Sequence, residues 1–142
     1  MKNLSLILTA ALLAFSLFSG TASASVKGVF IDLSSPDVFK VHRAFSVGTM
    51  LKKQQNLPVT IFISLNVTPY AGKDYPISQM LSLRGENIHD HMNKFMAAGG
   101  EIMVCGMCLG GHGMDANKLL PGITVGMPGK LITDEDIKFI SY

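Results

Sequence analysis

Two cysteines stand three positions apart, Cys105 and Cys108, and they are the only two in the 142-residue chain. A thiolate attacks disulfides and sulfane sulfur, and a second thiol within reach can resolve the product as a disulfide. His112 follows Cys108 by four residues, so the segment also reads C-x2-C-x3-H, with Met103, Met107 and Met114 close by in sequence. Thiolate and thioether suit Cu(I), and thiolate with imidazole suits zinc. A fourth tetrahedral ligand is not evident, so no metal or other cofactor is expected; Cys105, Cys108 and His112 are the alternative metal set. Leu109 after Cys108 excludes covalent haem attachment, which requires Cys-x-x-Cys-His. A thioredoxin-like oxidoreductase is disfavoured because the motif falls late in the chain, with no Trp before it and no Pro inside it. The plain alternative is a structural disulfide, although so short a loop restricts the unfolded chain little.

The elements around this pair follow from residue periodicity. Val26 to Leu33 reads as a strand rich in β-branched and aromatic residues, with Asp32 near its end as either a polar site residue or a turn former. Ser34-Ser35-Pro36-Asp37 reads as a helix start with Ser at the cap and Pro in the first turn. The helix is predicted from Pro36 to about Gln55, burying Val38, Val41, Phe45, Gly48 and Leu51. His42 is placed at its surface or boundary. Val59 to Leu65 is a second, nearly continuous apolar strand, as expected where both faces are covered.

Residues Asn66 to Pro76 are expected to be a loop at the carboxyl end of that strand, with Tyr70 to Tyr75 walling the pocket at the cysteines or that of a neighbouring subunit; the sequon Asn66-Val67-Thr68 is discounted because Pro69 follows. Pro76 to Arg84 and Asn87 to Ala98 look helical, with Ile88, Met92, Phe95 and Met96 inward. His89 and His91, two apart, face different ways on a solvated surface.

Glu101 to Cys105 is a short strand that ends on the first cysteine. Four glycines lie between Cys105 and Gly113, so a backbone of positive φ or close approach is expected there. A thiol at a strand end, followed by a glycine-rich turn into a helix, meets free backbone N–H groups that favour the thiolate. One or two helical turns in Met114 to Leu120, an extended piece at Ile123 to Gly126 and a last strand from Ile137 to Tyr142 complete the pattern. Hardly any helix fits between Gly126 and Asp136. Strands alternating with helices predict an α/β fold: a three-layer α/β/α sandwich around a mostly parallel sheet of about five strands.

The run Val104-Cys105-Gly106-Met107-Cys108-Leu109-Gly110-Gly111-His112-Gly113-Met114, after Gly99-Gly100 and a short strand, resembles the DsrE/DsrF-like family and within it the YchN-type group. The opening strand and long helix, the Leu120-Pro121-Gly122-Ile123 segment and the terminal strand extend the resemblance over most of residues 25–142. It implies a flavodoxin-like domain that assembles as a trimer or hexamer and relays sulfur as a cysteine persulfide between donor and acceptor proteins. On that pattern Cys105 is the sulfur-accepting nucleophile and Cys108 the auxiliary thiol. Gly106, His112, Gly113 and Asp32 are the candidate ligand-binding residues. His112 stands where the family has Arg.

The whole chain is 48% hydrophobic and 15% charged, with a mean hydropathy of +0.35. Much of that bias sits in Leu4 to Phe18, an apolar run that as a helix is roughly 22 Å long, short of the ~30 Å hydrocarbon core of a bilayer. Lys2 before it and Ala22-Ser23-Ala24 after it complete a secretory signal. The expectation is therefore a signal peptide at 1–24, a single domain at 25–142, export to the periplasm, and no stable membrane insertion after cleavage. A net charge of +2, with no basic block and no Trp, speaks against nucleic acid.

Overall fold

A computed structural model describes residues 26–77 and 85–142. The signal segment and most of the helix expected over Pro76 to Arg84 lie outside the described residues. Strand β1 (Gly28–Leu33) leads into helix α1 (Val38–Gln55), β2 (Val59–Ile63) and a 3-10 helix (Leu65–Ala71). Helix α2 (Ile88–Ala97), β3 (Glu101–Cys105) and the short helix α3 (Gly106–Gly111) follow. Two more 3-10 turns (Ala116–Lys118 and Gly129–Ile132) flank β4 (Thr124–Gly126), and β5 (Ile137–Ser141) ends the fold. Among the described residues no helix is long and apolar enough to cross a membrane.

All five strands are parallel, in the order β4-β3-β2-β1-β5. From β1 to β4 each strand is laid beside the last. The chain then returns from one edge of the sheet to the other, and about four strand spacings of ~4.8 Å separate those edges. Residues Met127 to Asp136 make this return. A strap of roughly ten residues has ample length for it.

Strand alternation sorts the side chains into two faces. Ile31, Leu33, Ile61, Ile63, Ile102 and Val104 join Val41, Phe45, Ile88, Met92 and Phe95 of α1 and α2 in the main core. On the other face Phe30, Phe62 and Cys105 form a smaller cluster, capped by Leu131 of the strap and flanked by Met103, Cys108 and Ile137. The architecture is the expected three-layer, flavodoxin-like α/β/α arrangement. Among the described residues its second helical layer is reduced to the turn Gly129–Ile132, which agrees with the shortage of helix-forming sequence there.

Helix α1 starts later than expected. Asp37, not Ser34 or Ser35, is the N-cap, and its carboxylate accepts the Lys40 N–H at 3.0 Å. A carboxylate also complements the positive helix end, which the serines do not. Its C-cap, Asn56, takes a left-handed conformation at φ 50°, where Asn is tolerated. In α2 Asn87 and Asp90 form a reciprocal capping box.

His42 is buried, against expectation, and stacks edge-on against His91 of α2 with ring centroids 4.7 Å apart. Neither His91 nor His89 is a solvated surface residue: His91 pairs with Glu86 at 3.2 Å, and His89 Nε2 lies 2.9 Å from the Tyr70 carbonyl. The two do face different ways, as their spacing requires. The segment expected to be a loop after β2 is largely the 3-10 helix, whose Val67, Thr68, Tyr70 and Ala71 are buried. The Tyr70 hydroxyl donates to the Pro36 carbonyl at 3.0 Å, tying this helix to the start of α1.

Candidate functional site

Cys105 closes β3 and is also the N-cap of α3, so one residue fixes the sulfur to the sheet and to the helix. Its Sγ accepts the Cys108 N–H at 3.2 Å. The two cysteines are joined as a disulfide with their Cα atoms 5.2 Å apart. Their environments differ. Cys105 retains 5% exposure within the buried cluster that includes Phe62 of the adjacent strand, whereas Cys108 is half-buried and the intervening Met107 is 74% exposed.

Of the glycines that follow, Gly113 alone has positive φ, +62°, and it ends the turn after α3. Gly106 is a site of close approach, because a Cβ there would lie 3.3 Å from Val125 Cγ1. Gly110 and Gly111 are helical and open on all sides. They meet neither expectation.

His112 follows α3, its Nε2 3.0 Å from the Leu65 carbonyl. Leu65 is a non-glycine residue at φ 51° and 60% exposed, a conformation that costs energy and tends to gather near functional sites. Nothing in the local sequence marked it. The alternative metal set is not preassembled, since Cys105 and Cys108 are bonded to each other and His112 is engaged elsewhere. Among the described residues no group of three or more His, Cys, Asp or Glu side chains is placed to hold a metal ion.

Asp32 lies within β1, so the turn-former reading is set aside. It shares its sheet face with Phe30 and sits near the same carboxyl edge as Cys105. Partial burial raises its carboxyl above the ordinary value, and a hydrogen bond from Ser64 opposes that rise. Ser64, buried at the end of β2, was not foreseen. The β2–β3 register of Ile63 against Val104 places it beside Cys105, so Asp32, Ser64 and Cys105 step across three adjacent strands. That register was beyond the sequence, because strand order was.

Of the nearby methionines, Met103 packs against the Cys105 cluster. Met114 belongs instead to a separate cavity of about 200 Å³ lined by Pro69, Tyr75 and Lys118.

A parallel sheet with its reactive pair beyond the carboxyl ends of the strands places this chain in the flavodoxin-like α/β class, whose ligands bind at that edge. Within that class it is similar to the YchN protein of E. coli, at 18% identity and a TM-score of 0.60 over 81% of this chain and 99% of that one. It is also similar to MTH1491, a protein of unknown function from Methanobacterium thermoautotrophicum (17% identity, TM-score 0.63, covering 80% and 97%). BT1422, a conserved protein of unknown function from Bacteroides thetaiotaomicron, is similar too (16% identity, TM-score 0.63, covering 86% and 100%). At such identities the likeness concerns the fold. No family model matches the chain, and no curated protein matches it.

Proposed function

We propose that this protein is a sulfur carrier, sulfurtransferase-like in its chemistry, that holds sulfane sulfur as a persulfide on its cysteine pair. The observation that carries the reading is the pairing of Cys105 and Cys108 at a ligand-binding sheet edge, with the Cys108 N–H directed at Cys105 Sγ. That donor favours a thiolate at Cys105 once the pair is reduced. The thiolate attacks the outer sulfur of a persulfide donor, the donor departs as its thiolate, and Cys105 keeps the sulfur. Transfer to an acceptor thiol repeats the step in the other direction. Asp32 and Ser64 are the polar groups nearest by register, and Gly106 begins the helix that carries Cys108. The reading extends to an exported, periplasmic protein that works as a homo-oligomer, a trimer or hexamer, with donor and acceptor proteins as partners.

The test is mass spectrometry of the reduced protein after exposure to polysulfide. Gain of one sulfur, about 32 Da, on Cys105 and its absence from Cys105→Ser is the expected outcome. Equal behaviour of the two proteins would end the proposal. A second reading, thiol–disulfide exchange with no sulfur carried, is favoured by the disulfide itself. It would replace the first if the pair exchanged rapidly with dithiols and retained no sulfur from polysulfide.

A further inference from the structure

The two sulfurs of the disulfide are not equivalent targets. An attacking sulfur approaches a disulfide opposite to the leaving sulfur, so the route to each cysteine begins on the far side of that cysteine. The route to Cys105 runs through packed side chains: the residue is 5% exposed and belongs to the buried cluster on this sheet face, with Phe62 of the adjacent strand. Cys108 is half-buried beside the exposed Met107. The leaving sides differ as well, because Cys105 Sγ already accepts an N–H from Cys108 at 3.2 Å. Exchange rates follow access to the attacked sulfur and stabilisation of the departing thiolate. Both favour attack at Cys108 with Cys105 leaving.

The oxidation level of the pair then selects the class of donor. A persulfide donor already carries sulfur at the sulfane level; it hands that sulfur to a thiolate, or attacks a disulfide to leave a mixed trisulfide still joined to the donor. The disulfide instead holds a two-electron oxidising equivalent, and a protein thiol that attacked it would leave a mixed disulfide with no sulfur gained. Hydrosulfide loads the oxidised pair with a free persulfide in one step, with no donor left attached and no further oxidant or reductant.

We propose that the disulfide form captures inorganic sulfide: HS− attacks Cys108 Sγ, the Cys105–Cys108 bond breaks, and Cys105 departs as thiolate. The products are a Cys108 persulfide, which keeps the hydrosulfide proton, and one thiolate. The sulfide sulfur is oxidised to the sulfane level, Cys105 is reduced, and atoms and charge balance. This step rests on the carrier reading and supplies its sulfur source for an oxidised site.

The experiment uses oxidised full-length protein with one equivalent of sodium sulfide under anaerobic conditions, quenched with an alkylating agent over a time course and mapped by peptide mass. The expected first product carries the extra sulfur, about 32 Da, on Cys108 and a simple alkyl group on Cys105. First appearance of sulfur on Cys105, reduction with no sulfur retained, or a disulfide inert while oxidised glutathione reacts would each overturn the proposal. Reduced protein with polysulfide, run in parallel, separates the two ideas. Loading there without loading from sulfide sinks sulfide capture and leaves the carrier reading standing, whereas failure of both arms removes both.

Discussion

Gly100→Ala tests the packing that aims β3, and through it Cys105. Gly100 has negative φ, so alanine meets no backbone objection there. The obstacle is the Phe95 ring: a Cβ at this position would lie 2.6 Å from Cε1 and closer still to Cζ and Cε2. Carbon atoms pack at about 3.5–4.0 Å, so the ring must move by about 1 Å or more. Phe95 is fully buried and edge-on to Phe45 at 6.0 Å. Retreat toward α1 is blocked as well, because even a Cβ on Gly48 would come within 3.0 Å of Phe95 Cε2 and 3.2 Å of Ile61 Cδ1. Overpacking of this kind costs about 1–3 kcal/mol, and expulsion of the ring about 3–5 kcal/mol. A urea titration should therefore show the unfolding midpoint lowered by on the order of 1 M. Gly110→Ala is the matched control, since nothing lies within 4 Å of its Cβ position inside α3; it should gain roughly 0.5–1 kcal/mol. A loss below about 0.5 kcal/mol for Gly100→Ala, a size typical of surface changes, would refute the steric argument.

Burial raises the Asp32 carboxyl above its ordinary 3.8, so its contribution to stability is whole below that value and is lost as pH rises through the folded pKa. Unfolding curves should show Asp32→Asn gaining on the wild type as pH rises from below 3.8; a relative loss over that rise would contradict the burial of this group. His91 shifts the other way: burial and then His42 lower it, with Lys94 adding to the fall and Glu86 and Asp90 opposing it. Stability from neutral His91 is present above about 6.5 and lost as pH falls through the lower folded value, so His91→Gln should flatten the decline on acidification, and an unchanged slope would rule His91 out as its source. Tyr70→Phe leaves the Pro36 carbonyl without the hydroxyl it accepts and should cost about 0.5–1.5 kcal/mol by thermal or urea unfolding; a neutral result would mean water replaces that bond.

Local sequence carried the strands, the helix stripes and the cysteine pair because each depends on a short-range pattern. Val59 to Ile63 is apolar but for Thr60 since both its faces are covered, and Cys105 ends β3 because Gly106 begins a new element. What failed depended on the third dimension. His42 reads as a surface residue between Val41 and Arg43, yet His91 arrives from α2 to cover it. Ser64 looks like any strand residue until the register with β3 puts it beside Cys105. Leu65 carries no mark of a left-handed backbone, since glycine or asparagine would be the ordinary choice; its conformation is imposed by the turn from β2 into the 3-10 helix.

The strap and α3 together explain how a buried sulfur stays usable. Gly106–Gly111 contains three glycines in six residues, each about 1 kcal/mol poorer than alanine as a helix former, so α3 cannot persist on propensity. It is held by burial of Leu109, by the disulfide, by the Cys108 N–H on Cys105 Sγ and by the His112 contact with the Leu65 carbonyl. Two of those four anchors involve the cysteines themselves. Breaking the disulfide therefore removes one anchor of the element that carries Cys108, while Cys105 stays fixed by β3. One sulfur belongs to a half-buried residue on a helix of poor intrinsic propensity; the other belongs to a buried residue at the end of a strand. Low local stability concentrated in α3 is what such a division of labour requires, and the poor helix formers that make the segment look like a mere turn are its physical source.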